Sequence, residues 1–277
     1  MSSFNTNENS PQEAENSLLI ADNLASQMRV DLSSFDAFCN TFPLRSELLY
    51  STVFERNANI VQTQKAKFAV ANLEKIFNAT FSESSSSGFD RMSLRDLSKQ
   101  TGMSMGAIYS CIGKKEDIAV MIADVVRLSS HLTQQHILHA PTVWIQIEQS
   151  IRFHLYASTL LQPWYFFLFF ETRSLPDQLQ IKSKQIELDG INSFKAYIEQ
   201  GVAEGEFKTK NSHMIANTIV VLLEDWYLKP WKTQTLGLEK PASKNLNFKN
   251  MTSAEREQSI NQYHQSIIEM VKTLLTD

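Results

Sequence analysis

Residues 93–118 read SLRDLSKQTGMSMGAIYSCIGKKEDI, a pattern that predicts two short helices joined by a tight turn and followed by a third helix. Ser93 and Ser104 each stand just before a helical pattern, where a hydroxyl group can accept hydrogen bonds from free backbone N–H groups. Between them, Gly102 can adopt the positive φ that ends a helix without a clash at Cβ. These signals, taken in order, predict a helix-turn-helix unit.

The second helix of this unit, expected over residues 105–110, has small residues on its outer face. Ile108 is expected to pack inward. The residues left on the outside are Met105, Gly106, Ala107 and Tyr109. A helix with such small outer residues can lie deep in the major groove of double-stranded DNA, where every base pair presents a distinct pattern. Lys114 and Lys115 open the next helix, and their ammonium groups would suit a phosphate there.

This part of the chain resembles the DNA-binding domain of the TetR (tetracycline-repressor) family of regulators. The resemblance covers about residues 62–125 and rests on the order and spacing of Gly88-Phe89, Ser93-Leu94, Asp96-Leu97, Thr101-Gly102-Met103-Ser104, Gly106-Ala107-Ile108-Tyr109 and Lys115-Glu116-Asp117-Ile118. It implies a homodimer whose two heads bind a palindromic DNA operator. In that family, the positions of Ser93, Tyr109 and Lys115 usually contact phosphates, and residues 104–107 match the base-reading helix.

Three features depart from the family pattern. Ile112 stands where an aromatic residue is usual. Lys114 replaces a small capping residue, so we expect the start of the following helix to be less well capped. The serine run over residues 84–87 lengthens the connection after the first helix of the head, which we expect over residues 62–81, and we predict that this run forms a surface loop.

Two other classes of protein can be weighed against a regulator. A helical protein-interaction module, in which the corner does not bind DNA and an acidic arm engages a protein partner, would carry the same local pattern. An enzyme is disfavoured because the sequence has no Gly-rich phosphate loop, no HExxH, no GxSxG and no paired-carboxylate arrangement. We therefore expect no catalytic residues, no cofactor and no metal site.

The whole chain is predicted to be all-α, with an N-terminal helix-turn-helix DNA-binding head and a larger helical ligand-binding and dimerisation body. Its 277 residues contain only eight Gly and seven Pro, and 43% of them are hydrophobic. We divide the chain into an extension over residues 1–60, a DNA-binding domain over 61–125 and a ligand-binding and dimerisation domain over 126–277. With two cysteines and no signal-peptide pattern, a cytoplasmic protein is expected.

Charge is unevenly distributed along the sequence, whose formal net charge is −4. Residues 61–117 hold eight Lys or Arg against six Asp or Glu, whereas residues 1–60 hold three against eight. Because an arm that reaches DNA should be basic, we expect the acidic extension to dock on the body or on a partner subunit. Within it, residues 1–16 are predicted to be disordered and residues 43–57 to form a helix.

The body contains an aromatic run over residues 164–170, WYFFLFF, which is too short to span a membrane and predicts a helix buried on all sides. With the polar residues set in apolar sequence nearby, it suggests a cavity for a small hydrophobic effector. The candidate ligand-binding residues are Arg152, His154, Tyr156, Trp164, Phe167, Arg173 and Trp226. Ordinary core packing and internal ion pairs would explain them equally well.

A short resemblance to one TetR subgroup indicates the class of effector. The sequence ETRSLP over residues 171–176 is similar to regulators linked to acyl-CoA, fatty-acid or steroid breakdown. In this family the last two helices commonly form the dimer interface. The last helix has apolar residues at the 3-4 spacing that such a seam needs, although packing within one subunit would give the same pattern. The seam residues are Ile260, Tyr263, Ile267, Met270, Val271 and Leu274. The resemblance implies a repressor that its ligand releases from the operator.

Overall fold

The computed structural model of the chain describes residues 11–63, 65–235 and 251–276. These residues form twelve α-helices and two short 3-10 helices, with no strand among them, so the predicted all-α fold is confirmed. The helices are α1 (Pro11–Gln27), α2 (Phe35–Thr41), α3 (Ser46–Arg56), α4 (Ala66–Ser87), α5 (Leu94–Thr101), α6 (Met105–Tyr109), α7 (Lys115–Ile137), α8 (Val143–Leu160), α9 (Gln162–Glu171), α10 (Asp177–Ala203), α11 (Ser212–Leu228) and α12 (Ser253–Thr276).

Helix α4 is the first helix of the head, and it differs from the prediction at both ends. It begins at Ala66 and continues to Ser87, so the surface loop predicted for residues 84–87 is wrong. The hydroxyl groups of Ser85 and Ser87 donate to carbonyls four residues earlier, at 2.7 and 3.1 Å, which satisfies them inside the last turn of a helix. The helix ends where Gly88 adopts a positive φ of 84°.

The N-terminal extension is helical over most of its described length. Helix α1 begins at Pro11, so the disorder predicted for residues 1–16 is wrong for residues 11–16, while residues 1–10 lie outside the described ranges. The helix predicted over residues 43–57 is observed over 46–56 as α3, and Pro43 lies in the connection between α2 and α3. The sequence reasoning missed α1 because residues 11–16 are mostly polar, and it is contact with α7 that gives this helix a surface to cover.

The extension packs on the helices of its own subunit. Phe38 of α2 is fully buried, and its ring lies 5.3 Å from that of Phe153 and 5.4 Å from that of Tyr156, both on α8. On the other side of the extension, Arg56 at the end of α3 forms a bidentate ion pair with Asp124 of α7, at 2.7 and 2.6 Å. Helix α3 also packs along α4. The extension therefore contacts both the head and the body.

The aromatic run forms α9, but it is not buried on all sides. Its inner face is buried, and Trp164 packs 4.6 Å from the ring of Phe77 in α4. Phe169 and Phe170 retain 45% and 41% of their surface exposed, which corrects the expectation of complete burial. The helix thus joins the head to the body through one face only.

No helix among the described residues is both long and apolar enough to cross a membrane.

Helix α12 packs on α8 and α11, and this divides the seam residues proposed from the sequence. Ile260, Ile267 and Val271 are buried in the core of their own subunit. Met270 and Leu274 remain exposed by 38% and 41%. Only part of the predicted seam is therefore available to a second subunit, because the 3-4 repeat is already filled by contacts within the chain.

A polar network joins α8 to α12. Arg152 donates to the side-chain oxygen of Asn261 at 2.9 Å and to Nδ1 of His264 at 3.1 Å. The hydroxyl of Tyr156 donates to Glu257 at 3.1 Å. Burial and the positive charge of Arg152 lower the pKa of His264 from 6.5 to about 4, so this imidazole is neutral at pH 7.

Acid should destabilise the protein partly through His264. Between pH 6.5 and 4, His264 binds a proton in the unfolded state but not in the folded state. The free energy of unfolding therefore falls as the pH falls. One such proton changes the slope by about 1.4 kcal/mol per pH unit. We expect the His264→Asn variant, which keeps an acceptor near Arg152, to show a shallower slope than the parent in urea titrations across this range.

The exposed His139 offers a matched control for the substitution itself, and the slope of the His264→Asn variant is compared with that of His139→Asn. Equal slopes for the parent and the His264→Asn variant would show that the folded protein accommodates protonated His264.

Candidate DNA interface and ligand cavity

The helix-turn-helix is held by short polar contacts. The Ser93 hydroxyl accepts from the backbone N–H of Asp96 at 3.3 Å, while the Asp96 carboxylate accepts from the backbone N–H of Ser93 at 3.0 Å. The hydrogen bonds that Ser93 donates also lower the pKa of Asp96. After α5, Gly102 adopts the left-handed conformation with φ of 68°, and the Ser98 hydroxyl donates to the Met103 carbonyl at 2.6 Å. The angle between α5 and α6 is thereby fixed locally.

Helix α6 presents the outer face that the sequence indicates. The Ser104 hydroxyl accepts from the N–H of Ala107 at 3.2 Å and starts the helix, while Ile108 is completely buried. Met105 and Ala107 are half-buried, and Tyr109 keeps 47% of its surface exposed. Five candidate DNA-binding residues, from Ser104 to Ala107 and at Tyr109, thus lie on or beside one short helix.

Gly106 is exposed in the middle of α6, and the fold does not require a glycine there. A Cβ atom built on it would meet only the Ser104 hydroxyl, at 4.0 Å. The main chain at this point is helical, so an alanine would fit the subunit and would favour the helix by about 1 kcal/mol. The absence of a side chain at Gly106 therefore lets a binding partner approach the main chain of α6 closely.

Lys114 provides no side-chain cap at the start of α7, as the sequence indicates, but Asp117 stabilises the turn that leads into the helix. The Asp117 carboxylate reaches back and accepts from the backbone N–H groups of Gly113 and Lys114, both at 2.9 Å. Lys114 is exposed, whereas the ammonium group of Lys115 donates to the carbonyls of Phe89 and Asp90 at 3.1 and 2.9 Å. Lys115 therefore ties the loop before α5 to the start of α7 as well as carrying charge near the surface.

The two neighbouring lysines should differ in their effect on stability. We expect Lys115→Met to lower the free energy of unfolding by about 1 to 2 kcal/mol, because two carbonyl groups lose a charged donor that is only partly exposed. Lys114→Met should stay within about 0.5 kcal/mol of the parent, because Lys114 is a solvated surface residue. Urea denaturation followed by circular dichroism measures both, and equal losses would contradict the structural role of Lys115.

A cavity of about 350 Å³ lies in the body among α7, α8, α9, α10 and α11. Its apolar lining includes Val126, Leu168, Phe194, Val220 and Leu223. Of the seven ligand-binding candidates from the sequence, the structure places His154 and Arg173 in the lining. The cavity is concave and predominantly apolar with a few polar groups, as small-molecule sites usually are.

The other five candidates lie elsewhere. Arg152 and Tyr156 point to α12, where they form the network with His264 and Glu257. Trp164 and Phe167 pack against the head, and Trp226 donates from Nε1 to the Thr159 hydroxyl at 2.9 Å inside the core. Aromatic and polar content identified the right helices, but the choice of face depends on how those helices pack.

Three rings meet at the inner end of the cavity. The ring of His154 lies 5.4 Å from that of Tyr165 and 6.3 Å from that of Tyr227, and the two tyrosine rings are 5.3 Å apart. Nε2 of His154 is buried and has no hydrogen-bond partner among the described residues. Burial lowers the pKa of His154 to about 4, so the imidazole is neutral at pH 7. The Tyr165 hydroxyl already has a hydrogen-bond partner, because it donates to the Ser129 hydroxyl at 3.0 Å.

Sequence reasoning missed Glu224, which lines the cavity from α11. Burial, together with the negative charge of Glu187, raises the pKa of Glu224 from 4.5 to about 7. Three other charged residues line the cavity, namely Arg173, Lys184 and Glu187. All three are more exposed to solvent than Glu224, and they form the rim of the cavity. A carboxylate within the apolar run of α11 was the available signal, since a charged residue in such a run needs a reason.

Comparisons with known proteins identify the fold. No protein-family model matches the sequence, and no curated protein matches it. Among solved structures, FadR from Bacillus subtilis in complex with stearoyl-CoA is 15% identical, with a TM-score of 0.54 over 73% of this chain and 99% of that chain. A TetR-family regulatory protein from Rhodococcus RHA1 is 15% identical, with a TM-score of 0.56 over 72% of this chain and 96% of that chain.

A third neighbour, the TetR-family transcriptional regulator PfmR from Thermus thermophilus, is 17% identical, with a TM-score of 0.54 over 70% of this chain and 97% of that chain. These neighbours are transcriptional regulators, and the chain has their fold. The fold that the residues of the helix-turn-helix implied is therefore confirmed.

Proposed function

We propose that this protein is a sequence-specific, DNA-binding transcriptional regulator of the TetR type, which acts in the cytoplasm. The observation that carries the proposal is the outer face of α6, where an exposed Gly106 that the fold does not need lies between Met105 and Ala107. Such a face can approach base edges in a major groove closely. Around it, Ser93, Tyr109, Lys114 and Lys115 are the residues proposed to contact phosphates.

A homodimer would place two copies of α6 on one duplex. Exposed apolar side chains repeat along one side of α11, where Met214 and Val221 are exposed by 55% and 52%. On α12, Met270 and Leu274 are exposed at a spacing of one helical turn. A two-fold axis through these helices would cover the four side chains, and a two-fold symmetric protein recognises a palindromic operator.

The experiment that tests the proposal is a selection from random duplexes, followed by fluorescence anisotropy of the selected duplex over a range of salt concentrations. We expect tight binding that a scrambled duplex does not show and that weakens steeply with salt. Lys114→Gln should lower affinity for all sequences and reduce the salt slope by about 1, whereas Met105→Ala should change the preferred sequence. Lys272→Gln, on the exposed side of α12, is the matched control.

Absence of salt-sensitive duplex binding would overturn the proposal. It would favour a helical interaction module whose acidic extension engages a protein. The same selection therefore separates the two functions without knowledge of the target genes.

The cavity is the proposed site of a small hydrophobic effector that releases the protein from its operator. The structure of FadR from Bacillus subtilis contains stearoyl-CoA, which supports an effector with a long apolar chain. A ligand that binds one spacing of the two heads better than the other shifts the dimer toward that spacing. A coupling free energy of about 1 to 3 kcal/mol would change operator affinity by roughly 5- to 150-fold.

A further inference from the structure

We propose that the effector is an amphiphile with a positively charged amine or ammonium head, and that this head binds among His154, Tyr165, Tyr227 and Glu224 while an apolar chain fills the rest of the cavity. The inference rests on the proposed function, because it names the chemistry of the effector site.

Charge at this inner end is negative and unpaired. Glu224 is half-buried, and within the described residues its carboxylate has neither a hydrogen bond nor an ion pair within 4.0 Å. A buried carboxylate is costly unless it has a partner. Arg173 and Lys184 line the same cavity, but they are exposed at the rim and can remain hydrated. A ligand cation at the inner end would supply the partner that the subunit lacks.

The rings around Glu224 suit a cation as well. Their centroids are only 5.3 to 6.3 Å apart, so the three rings pack against one another, and an ammonium group in the cavity would lie over this cluster, at the distance of about 6 Å or less that a cation–π contact requires. Aromatic faces attract cations, and the attraction is strongest where the cation is shielded from water.

His154 offers a second, independent indication of a polar ligand. The side chain is half-buried and lines the cavity, and its Nε2 atom is buried without a hydrogen-bond partner among the described residues. A neutral imidazole has one acceptor nitrogen, which can receive a hydrogen bond from a protonated amine. Because the ring is uncharged at neutral pH, it does not repel a cation.

The ionisation of Glu224 determines how binding should depend on pH. Its pKa of about 7 means that the carboxylate is mostly neutral at pH 6 and mostly charged at pH 8. His154 stays neutral over this range, and burial raises the pKa of Tyr165 to about 12, so Glu224 dominates the response. The titratable and charged groups that face it are His154 from α8, Tyr165 from α9, Arg173 from the 3-10 helix after α9, Lys184 and Glu187 from α10, and Tyr227 on α11 itself.

The test compares three probes with the same ten-carbon chain, each below its micellar concentration or solubility limit: decylammonium, decanoate and decanol. Isothermal titration calorimetry on the full chain measures their affinities at pH 6 and pH 8. We expect decylammonium, which stays protonated at both pH values, to bind most tightly, with an affinity that rises about tenfold from pH 6 to pH 8 as Glu224 ionises. Decanoate should show the opposite dependence, and decanol should show little.

Two variants locate the effect. Glu224→Gln should remove the preference for the cation and its pH dependence, whereas Glu187→Gln, at the rim, should keep most of both. Thermal melting of each variant verifies that it is folded. If Glu224→Gln does not fold, the pH comparison of the three probes on the parent protein still decides the matter.

Equal or tighter binding of decanoate or decanol at pH 8 would overturn the inference, and so would the absence of binding by all three probes. Neither result affects the DNA experiment. Salt-sensitive duplex binding without ammonium binding would leave the regulator and remove this class of effector. Ammonium binding without duplex binding would leave the cavity site and remove the regulator.

Discussion

We expect the Phe38→Ala variant to lose about 3 to 5 kcal/mol of its free energy of unfolding. Phe38 is completely buried, stacks on Phe42 with 4.7 Å between ring centroids, and packs against Phe153 and Tyr156 on α8. Removing the ring leaves a cavity between the extension and the body, where four aromatic rings are fitted together and cannot collapse easily. Urea denaturation followed by circular dichroism measures the loss.

Leu48→Ala is the control for this variant. Leu48 lies on α3 in the same extension but is exposed by 51%, so its replacement should change stability by less than about 0.5 kcal/mol. A loss of less than about 1 kcal/mol for Phe38→Ala would show that α2 is not part of the core in solution.

The second large effect is expected from Val221→Asp, which places a charge in the middle of the exposed apolar side of α11. If this side forms the dimer interface, the variant should be a monomer, with half the parent's mass and close to the 31.6 kDa of one chain. Two heads linked in one dimer bind with an effective concentration that one head lacks. Operator affinity should therefore fall by about 10²- to 10⁴-fold.

Light scattering after size-exclusion chromatography measures the mass, and anisotropy with the selected duplex measures the affinity. Ile181→Asp introduces the same charge on α10, at a residue exposed by 60%, and should leave both unchanged. A dimeric Val221→Asp variant with unaltered affinity would place the interface on another surface.

The helix-turn-helix was predictable because its signals are local. Ser93, Gly102 and Ser104 each act through hydrogen bonds or backbone angles within a few residues, and the structure places them as the sequence indicates. The serine run after Phe81 continues α4 instead of forming a loop, because a serine hydroxyl can donate to the carbonyl four residues earlier without ending the helix.

The cavity was harder to predict because its wall is made by packing between distant helices. His154, a polar residue in an apolar helix, does line the cavity, but Trp226, an aromatic residue proposed for the same site, faces the core instead. Glu224 went unnoticed because its environment is created by α8, α9 and α10, which the sequence of α11 does not contain. Periodicity gives the face of a helix but not the neighbour that covers it.

The aromatic side chains of α2 have a practical consequence for anyone who works with this protein. The solved neighbours are shorter, since 99% of FadR from Bacillus subtilis corresponds to only 73% of this chain. A version trimmed to begin near residue 61 would lose Phe35, Phe38 and Phe42, and it would leave Phe153 and Tyr156 facing water. An exposed apolar surface of this kind promotes aggregation. A poor yield of the shortened protein would therefore result from the loss of core residues in α2 and the segment after it.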